Sequence, residues 1–166
     1  MTPKTASLFD YIDNSKIENI FTENVQVLAR WSHAIERHLI ENEVQGRVHV
    51  GTQTMQRFVP LAERYQQIAQ RADVNLFAQA DGVPMPEGSA DINWISLANG
   101  DPLRNEWFVV AMHTDYALAL VAEEIDNSDS DERLFRGLRT TNADIVRKLG
   151  EQLRKVAAER STSSTN

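Results

Sequence analysis

Cysteine is absent from all 166 residues of the chain. Its absence excludes disulfides, thiolate metal ligands, a cysteine nucleophile and thioether attachment of a chromophore. Long apolar runs are also lacking, and none approaches the roughly 20 residues of a membrane-spanning helix. The first ten residues carry a single lysine and no apolar stretch of signal-peptide length. We therefore expect a cytoplasmic protein.

Positive charge is in short supply, with 17 Lys and Arg against 24 Asp and Glu, and the net charge is -7. Phosphate backbones and anionic membranes are bound by basic faces, so we expect neither duplex nucleic acid nor a membrane as a partner. The hydrophobic share of 42% is ordinary for a globular domain. We expect one domain over residues 1–160 and a disordered polar tail over 161–166.

Hydrophobic periodicity predicts an alternation of helices and strands. Helices are predicted over 7–13, 22–42, 60–72 and 142–159, and strands over 47–53, 74–78, 92–97, 106–113, 116–121 and 134–139. The unbroken apolar run Trp107–Met112 is typical of a central strand that is covered on both faces. The pattern predicts an α+β or α/β sandwich. We expect one central mixed or antiparallel sheet of five or six strands, with helices packed mainly on one face.

Motifs that carry common chemistry are missing. The sequence has no glycine-rich phosphate loop, no HExxH and no GxSxG. His33 and His38 are five residues apart on a predicted helix, which turns them about 140° from each other instead of onto one face. The acidic run 126–132 resembles a calcium loop but lacks its glycine and its bidentate glutamate at the required positions. We therefore expect no metal, no cofactor and no catalytic site.

Five residues are candidates for binding a ligand. They are His49, Arg57, Trp94, Trp107 and His113. The two histidines lie on or at the end of predicted strands and can face a cleft, the tryptophans can line an aromatic pocket, and the arginine can meet an anion. The alternatives are structural histidines, core tryptophans and a surface arginine.

The last predicted helix has an apolar side at Ile145, Leu149, Leu153 and Val156. Spacings of four, four and three suit either packing on the chain's own core or pairing with a partner helix. If this side is exposed, we expect a homodimer, because twofold interfaces are the commonest kind. Leu149, Leu153 and Val156 are therefore candidate interaction residues.

Four segments follow one another in a characteristic order and spacing. They are AERY, AQRA and VNLF within 62–77, GDPL with EWFVV within 100–110, YALALVAEE over 116–124, and RLFRG with the later DIV within 133–146. Together with the helix at 25–36 and the strand at 50–53, they resemble the bacterial DICT domains over about residues 7–157. The strand that ends Phe77-Ala78-Gln79 departs from the family's frequent Phe-Gly.

The resemblance implies a bacterial sensory domain that is found joined to diguanylate cyclases, two-component kinases and transcription regulators, with a part in light-linked signalling. It supplies no catalytic residues. We therefore expect a non-catalytic sensory or regulatory module that recognises a small ligand or a protein partner and relays this to an output protein. The alternative is a protein–protein adaptor without any small ligand. An enzyme is a third hypothesis that no residue pattern supports.

Overall fold

The computed structural model describes residues 20–125 and 132–163, with side chains described as far as Arg160. The predicted helix at 7–13, the acidic run 126–131 and most of the predicted polar tail lie outside the described residues. The elements are β1 (Ile20–Asn24), α1 (Val25–Glu41), β2 (Gly46–Thr54), α2 (Met55–Phe58), α3 (Ala62–Ile68), β3 (Ala72–Gln79), β4 (Ile92–Ser96), β5 (Glu106–His113), β6 (Tyr116–Ile125), β7 (Leu134–Thr140) and α4 (Ala143–Ser163). Short 3-10 turns at Val59–Leu61 and Pro102–Asn105 precede α3 and β5.

All the described strands join one sheet in the order β1-β7-β6-β5-β2-β3-β4. Strands β2, β3 and β4 run parallel, and the remaining pairs are antiparallel. A single sheet, predicted as mixed or antiparallel, is confirmed and is mixed. The predicted count of five or six strands is wrong, because β1 pairs with β7 as a seventh. The sequence placed a helix cap at Thr22, inside β1. The cap is Asn24, whose side chain accepts a hydrogen bond from the Val27 amide at 3.0 Å.

Helices cover both faces of the sheet, which corrects the prediction that they pack mainly on one. On the first face, α1, α2 and α3 bury residues such as Leu39 and Phe58 against the Val48 and Val109 side of the sheet. On the second face lies α4. Strand β5 explains this arrangement, because its side chains alternate between two apolar faces and each face needs a cover.

The apolar side of α4 packs on the chain's own sheet. Leu149 and Leu153 are 0% exposed and Val156 is 2% exposed, in a cluster with Phe108 and Val110 of β5. The chain's own core covers these three candidate interaction residues, which is the self-packing alternative that the sequence left open. A dimer through this seam would have to open the core.

Candidate functional site

Buried polar side chains gather where the parallel strands β2 and β3 end. Thr52 and Gln53 are 0% exposed and Thr54 is 8% exposed, and Gln79 closes β3 beside them. Ligands of open α/β sheets bind outside the carboxyl ends of parallel strands, so this edge is where a ligand is expected. We call it the arginine edge, and it comprises Gln53, Arg57, Gln79, Arg104, Glu124 and Arg133.

Gln53 is the centre of the arginine edge. Its backbone has φ 68, and the register between β2 and β3 slips between Gly51 and Gln53. A left-handed conformation costs a residue other than glycine about 1–2 kcal/mol, so side-chain contacts must hold it. The Gln53 Oε1 accepts hydrogen bonds from the guanidinium groups of Arg57 and Arg133, the latter at 2.8 Å. Its Nε2 donates to Glu124 at 3.1 Å.

The charges at the edge come from three different parts of the fold. Arg133 precedes β7 and donates two hydrogen bonds of 2.9 Å to the Glu124 carboxylate of β6. These bonds, followed by the one from Gln53, lower the pKa of Glu124. Burial, and then the nearby Arg133, lower the pKa of Arg57 on α2. Two guanidinium groups thus share one neutral amide oxygen, which is a weak acceptor for them.

A second branch connects the edge to α4. Arg104, in the turn before β5, donates to the Gln79 Oε1 at 2.6 Å. Asp101 caps the same turn by accepting from the Leu103 amide at 3.1 Å, and it also binds Arg160 of α4 at 2.6 Å. A change at the end of β3 therefore has a short route to the last helix.

Of the five predicted ligand-binding residues, only Arg57 belongs to the arginine edge. His49 lies on the other face of the sheet, under α4, and is 3% exposed. His113 is exposed at the end of β5, where it pairs with Tyr116 of β6. The Trp94 indole donates to the Ala78 carbonyl at 3.1 Å, and the Trp107 indole donates to a serine of α1 at 2.9 Å. The two indoles each tie one element to another, and no contact between their rings appears among the described side chains.

Sequence reasoning missed the other five residues of the edge: Gln53, Gln79, Arg104, Glu124 and Arg133. Each comes from a different strand end or turn, and the chain separation between Gln53 and Arg133 is 80 residues. One local signal was present: the polar run Thr52-Gln53-Thr54 at the end of an apolar strand. Polar residues on a buried strand need partners, and the sequence does not show which ones.

A buried carboxyl lies outside the edge, between α1 and α3. Glu36 is 0% exposed, and its Oε1 lies 3.4 Å from the Arg64 guanidinium and 3.6 Å from the His33 ring. Burial raises the pKa of Glu36 to about 7, although Tyr65 and Arg64 favour the charged form. On the opposite face, burial lowers the pKa of His49 to about 4, and Arg47 and Arg154 add to this.

The described residues offer neither a metal site nor a membrane-spanning helix. Across 20–125 and 132–160, no three acidic or histidine side chains gather closely enough to hold a metal ion. None of the helices in the described part of the chain is long and apolar enough to cross a membrane.

Comparison with known families decides the class of the protein. The model of the DICT family, a sensory domain in diguanylate cyclases and two-component systems, matches residues 8–125. The chain belongs to the DICT family. The resemblance read from the sequence is confirmed, and the DICT domain is a module of sensory signalling. No curated protein matches the chain.

Two solved structures share the fold of this DICT domain at very low sequence identity. TrmBL2, an archaeal chromatin protein with a novel mode of DNA binding, is 10% identical with a TM-score of 0.51. The match covers 89% of this chain but only 57% of that protein, so the DICT domain spans little more than half its length. NucT from Helicobacter pylori is 9% identical with a TM-score of 0.53, and the match covers 84% of this chain and 96% of that one. At such identity these likenesses show the fold alone.

Proposed function

We propose that this DICT domain is a non-catalytic sensory module that recognises a small anionic molecule at the arginine edge. Binding is relayed to a protein partner of the signalling class that the family serves, such as a kinase, a cyclase or a transcription regulator. The single observation that carries this proposal is the convergence of Arg57 and Arg133 on the amide oxygen of Gln53.

Both arginines would gain from an anionic acceptor. Hydrogen bonds between a guanidinium and a carboxylate or phosphate are roughly twice as strong as those to a neutral group. A ligand carboxylate or phosphate would therefore compete well against the Gln53 amide. Arg133 would keep its bond to Glu124 or share it, because a guanidinium has five N–H donors.

Loss of its arginine partners would free Gln53 to relax. Strained residues persist only where the surroundings hold them, and they cluster at switch regions. Relaxation of Gln53 would move the junction between β2 and α2. The branch through Arg104, Asp101 and Arg160 would carry the change to α4. This gives a sensor the two local arrangements that it requires.

The resemblance implied light-linked signalling, and the sequence limits how a chromophore could be attached. Because the chain has no cysteine, a thioether-bound chromophore is excluded. A light-responsive version of this module would hold its chromophore without such a bond or receive the signal from its partner.

The adaptor hypothesis rests on a different surface. A groove of about 410 Å³ runs between α1 and the ends of β6 and β7, and it is lined by Trp31, Ile35, Leu118 and Arg139 among others. The Arg139 guanidinium lies 3.7 Å from the centre of the Trp31 ring. Open surfaces that combine a tryptophan and an arginine are typical of protein interfaces.

Native mass spectrometry of the protein purified from its own host separates the two hypotheses. We expect the wild type to carry a small molecule that Arg133→Gln loses. Arg136→Gln is the matched control, because Arg136 lies close by in β7, is exposed and pairs with Glu123 outside the arginine edge. If a protein partner co-purifies without a small molecule, the adaptor hypothesis is supported. A small molecule that both variants retain would contradict the proposed site.

A further inference from the structure

A cavity of about 200 Å³ lies between β2, β5 and α4, on the face of the sheet opposite α1. Its apolar walls are Val110 and Met112 of β5, and His49 of β2 lines it as a buried polar group. Gly150 leaves the space open on the α4 side. A methyl group added at Gly150 would meet Met112 Cε at 3.8 Å, which is ordinary contact, so nothing crowds this position.

Hydrogen bonds fix the tautomer of His49. The Asn93 Nδ2 donates to the Asn75 Oδ1 at 2.9 Å, which orients the Asn75 amide. The Asn75 Nδ2 therefore points to the His49 Nδ1, at 3.3 Å, and donates to it. In a neutral imidazole whose Nδ1 accepts, the proton is on Nε2. Nε2 makes no hydrogen bond to any described residue. His49 as a whole is only 3% exposed and lies beside the cavity.

The rim of the cavity is positively charged. Arg47 of β2 and Arg147 and Arg154 of α4 line it, together with one acid, Glu151. Arg147 is paired with an aspartate of its own helix, whereas Arg47 and Arg154 form no ion pair with any described residue. Both of them lie close enough to lower the pKa of His49, and the arginines of the rim outnumber its single acid. The potential inside the cavity is therefore positive.

We propose that this cavity is a second ligand site, specific for a small oxyanion. An oxygen of the anion accepts from the Nε2–H of His49, and the guanidinium groups of Arg47 and Arg154 hold the remaining oxygens. Donor groups line this cavity in excess of its one acid, and a carboxylate or phosphate oxygen is the acceptor that matches such donors. The site shares no residue with the arginine edge and is independent of the function proposed there.

The volume of the cavity limits the size of the ligand that it can hold. A volume of about 200 Å³ is below the roughly 300–1,000 Å³ of sites for drug-sized molecules. The walls offered by Val110 and Met112 suit a short carbon chain, while the rim suits one or two charged groups. The ligand class is therefore inorganic phosphate, a small phosphorylated compound or a short dicarboxylate.

Two probes, inorganic phosphate and succinate, test the proposal by two-dimensional amide NMR at constant ionic strength maintained with chloride. The wild type is expected to show saturable shifts at the amides around the cavity. His49→Leu removes the buried donor without changing the charge, because His49 is neutral at pH 7, and it should abolish binding. Arg154→Gln should weaken binding about tenfold, as expected for one charge-assisted hydrogen bond. Because Arg154 is exposed, its substitution should not disturb folding. Arg154→Gln therefore tests whether the cavity binds an anion even if His49→Leu fails to fold.

Lys155→Gln is the matched control. Lys155 is the next residue on α4, it is also exposed, and its loss removes the same charge, but it does not line the cavity. Binding should be unchanged in this variant and in Arg133→Gln, so failure of the arginine edge and failure of this site are distinguishable. Saturation by either probe supports the site and names its chemistry as phosphoryl or carboxylate. Absence of saturable shifts with both probes, or equal weakening by Lys155→Gln and Arg154→Gln, would overturn the proposal.

Discussion

Two buried titratable groups on opposite faces of the sheet should impose opposite pH dependences on stability. Burial raises the pKa of Glu36 from 4.5 to about 7, so its contribution is present below pH 4.5 and is lost as the pH rises through 7. Burial lowers the pKa of His49 from 6.5 to about 4, so its contribution is present above pH 6.5 and is lost as the pH falls toward 4.

The two contributions nearly cancel in the wild type. Each pKa differs from its ordinary value by about 2.5, and each unit of pKa corresponds to about 1.4 kcal/mol. Between about pH 5 and about pH 7, Glu36 should therefore lose about 2 kcal/mol of stabilisation while His49 gains about 2 kcal/mol. We expect the free energy of unfolding of the wild type to change by less than about 1 kcal/mol across this range.

Single variants reveal the separate pH dependence that each group imposes on the free energy of unfolding. In Glu36→Gln, which keeps His49, the free energy of unfolding should rise by about 2 kcal/mol from about pH 5 to about pH 7. In His49→Gln, which keeps Glu36, it should fall by about the same amount. Urea unfolding at several pH values, followed by tryptophan fluorescence, measures both. If the two variants show the same slope as the wild type, the argument from burial is refuted.

Two variants and one binding measurement give three further predictions about the fold and its partners. Leu153→Ala should lower the free energy of unfolding by about 2–5 kcal/mol in urea, with no change of mass by light scattering, because Leu153 packs in the core. Trp107→Ala should cost about 2–4 kcal/mol, since it removes a half-buried ring and the hydrogen bond to Ser32; an unchanged urea midpoint would show that this packing is misplaced. The acidic chain should show no sub-micromolar binding to duplex DNA by anisotropy at physiological salt, and such binding would show that the charge argument fails.

Periodicity revealed most of the elements because burial imposes it. The apolar run Trp107–Met112 lies in β5, as predicted. The apolar side of the last predicted helix is the side of α4 that packs on the sheet. The short strand Ile20–Asn24 was missed. It lies at the edge of the sheet, its ladder partner is β7, and its first residue, Ile20, is 60% exposed, so it carries no run of buried apolar residues.

The site was harder to predict because it depends on strand order. Arg57 was named as an anion-binding candidate, but the neighbouring Arg133 and Glu124 come from distant chain positions that only the sheet brings together. The strained conformation of Gln53 arises from the bulge in β2 and leaves no trace in residue type. His49 was also named, yet its cavity exists only because α4 crosses β2 near Gly150. Sequence patterns report burial, whereas convergence of polar groups is a property of the assembled sheet.

The central claim is that Arg57 and Arg133 leave Gln53 for an anionic ligand. The most direct test is to record amide NMR spectra of the wild type and of Arg133→Gln while adding the small-molecule fraction of the host. The claim predicts saturable shifts at the amides of Gln53, Arg57 and Arg133 in the wild type, and none at the first two in the variant. Shifts at these amides that are equal in both proteins, or a wild-type spectrum in which the arginine edge does not respond, would contradict it.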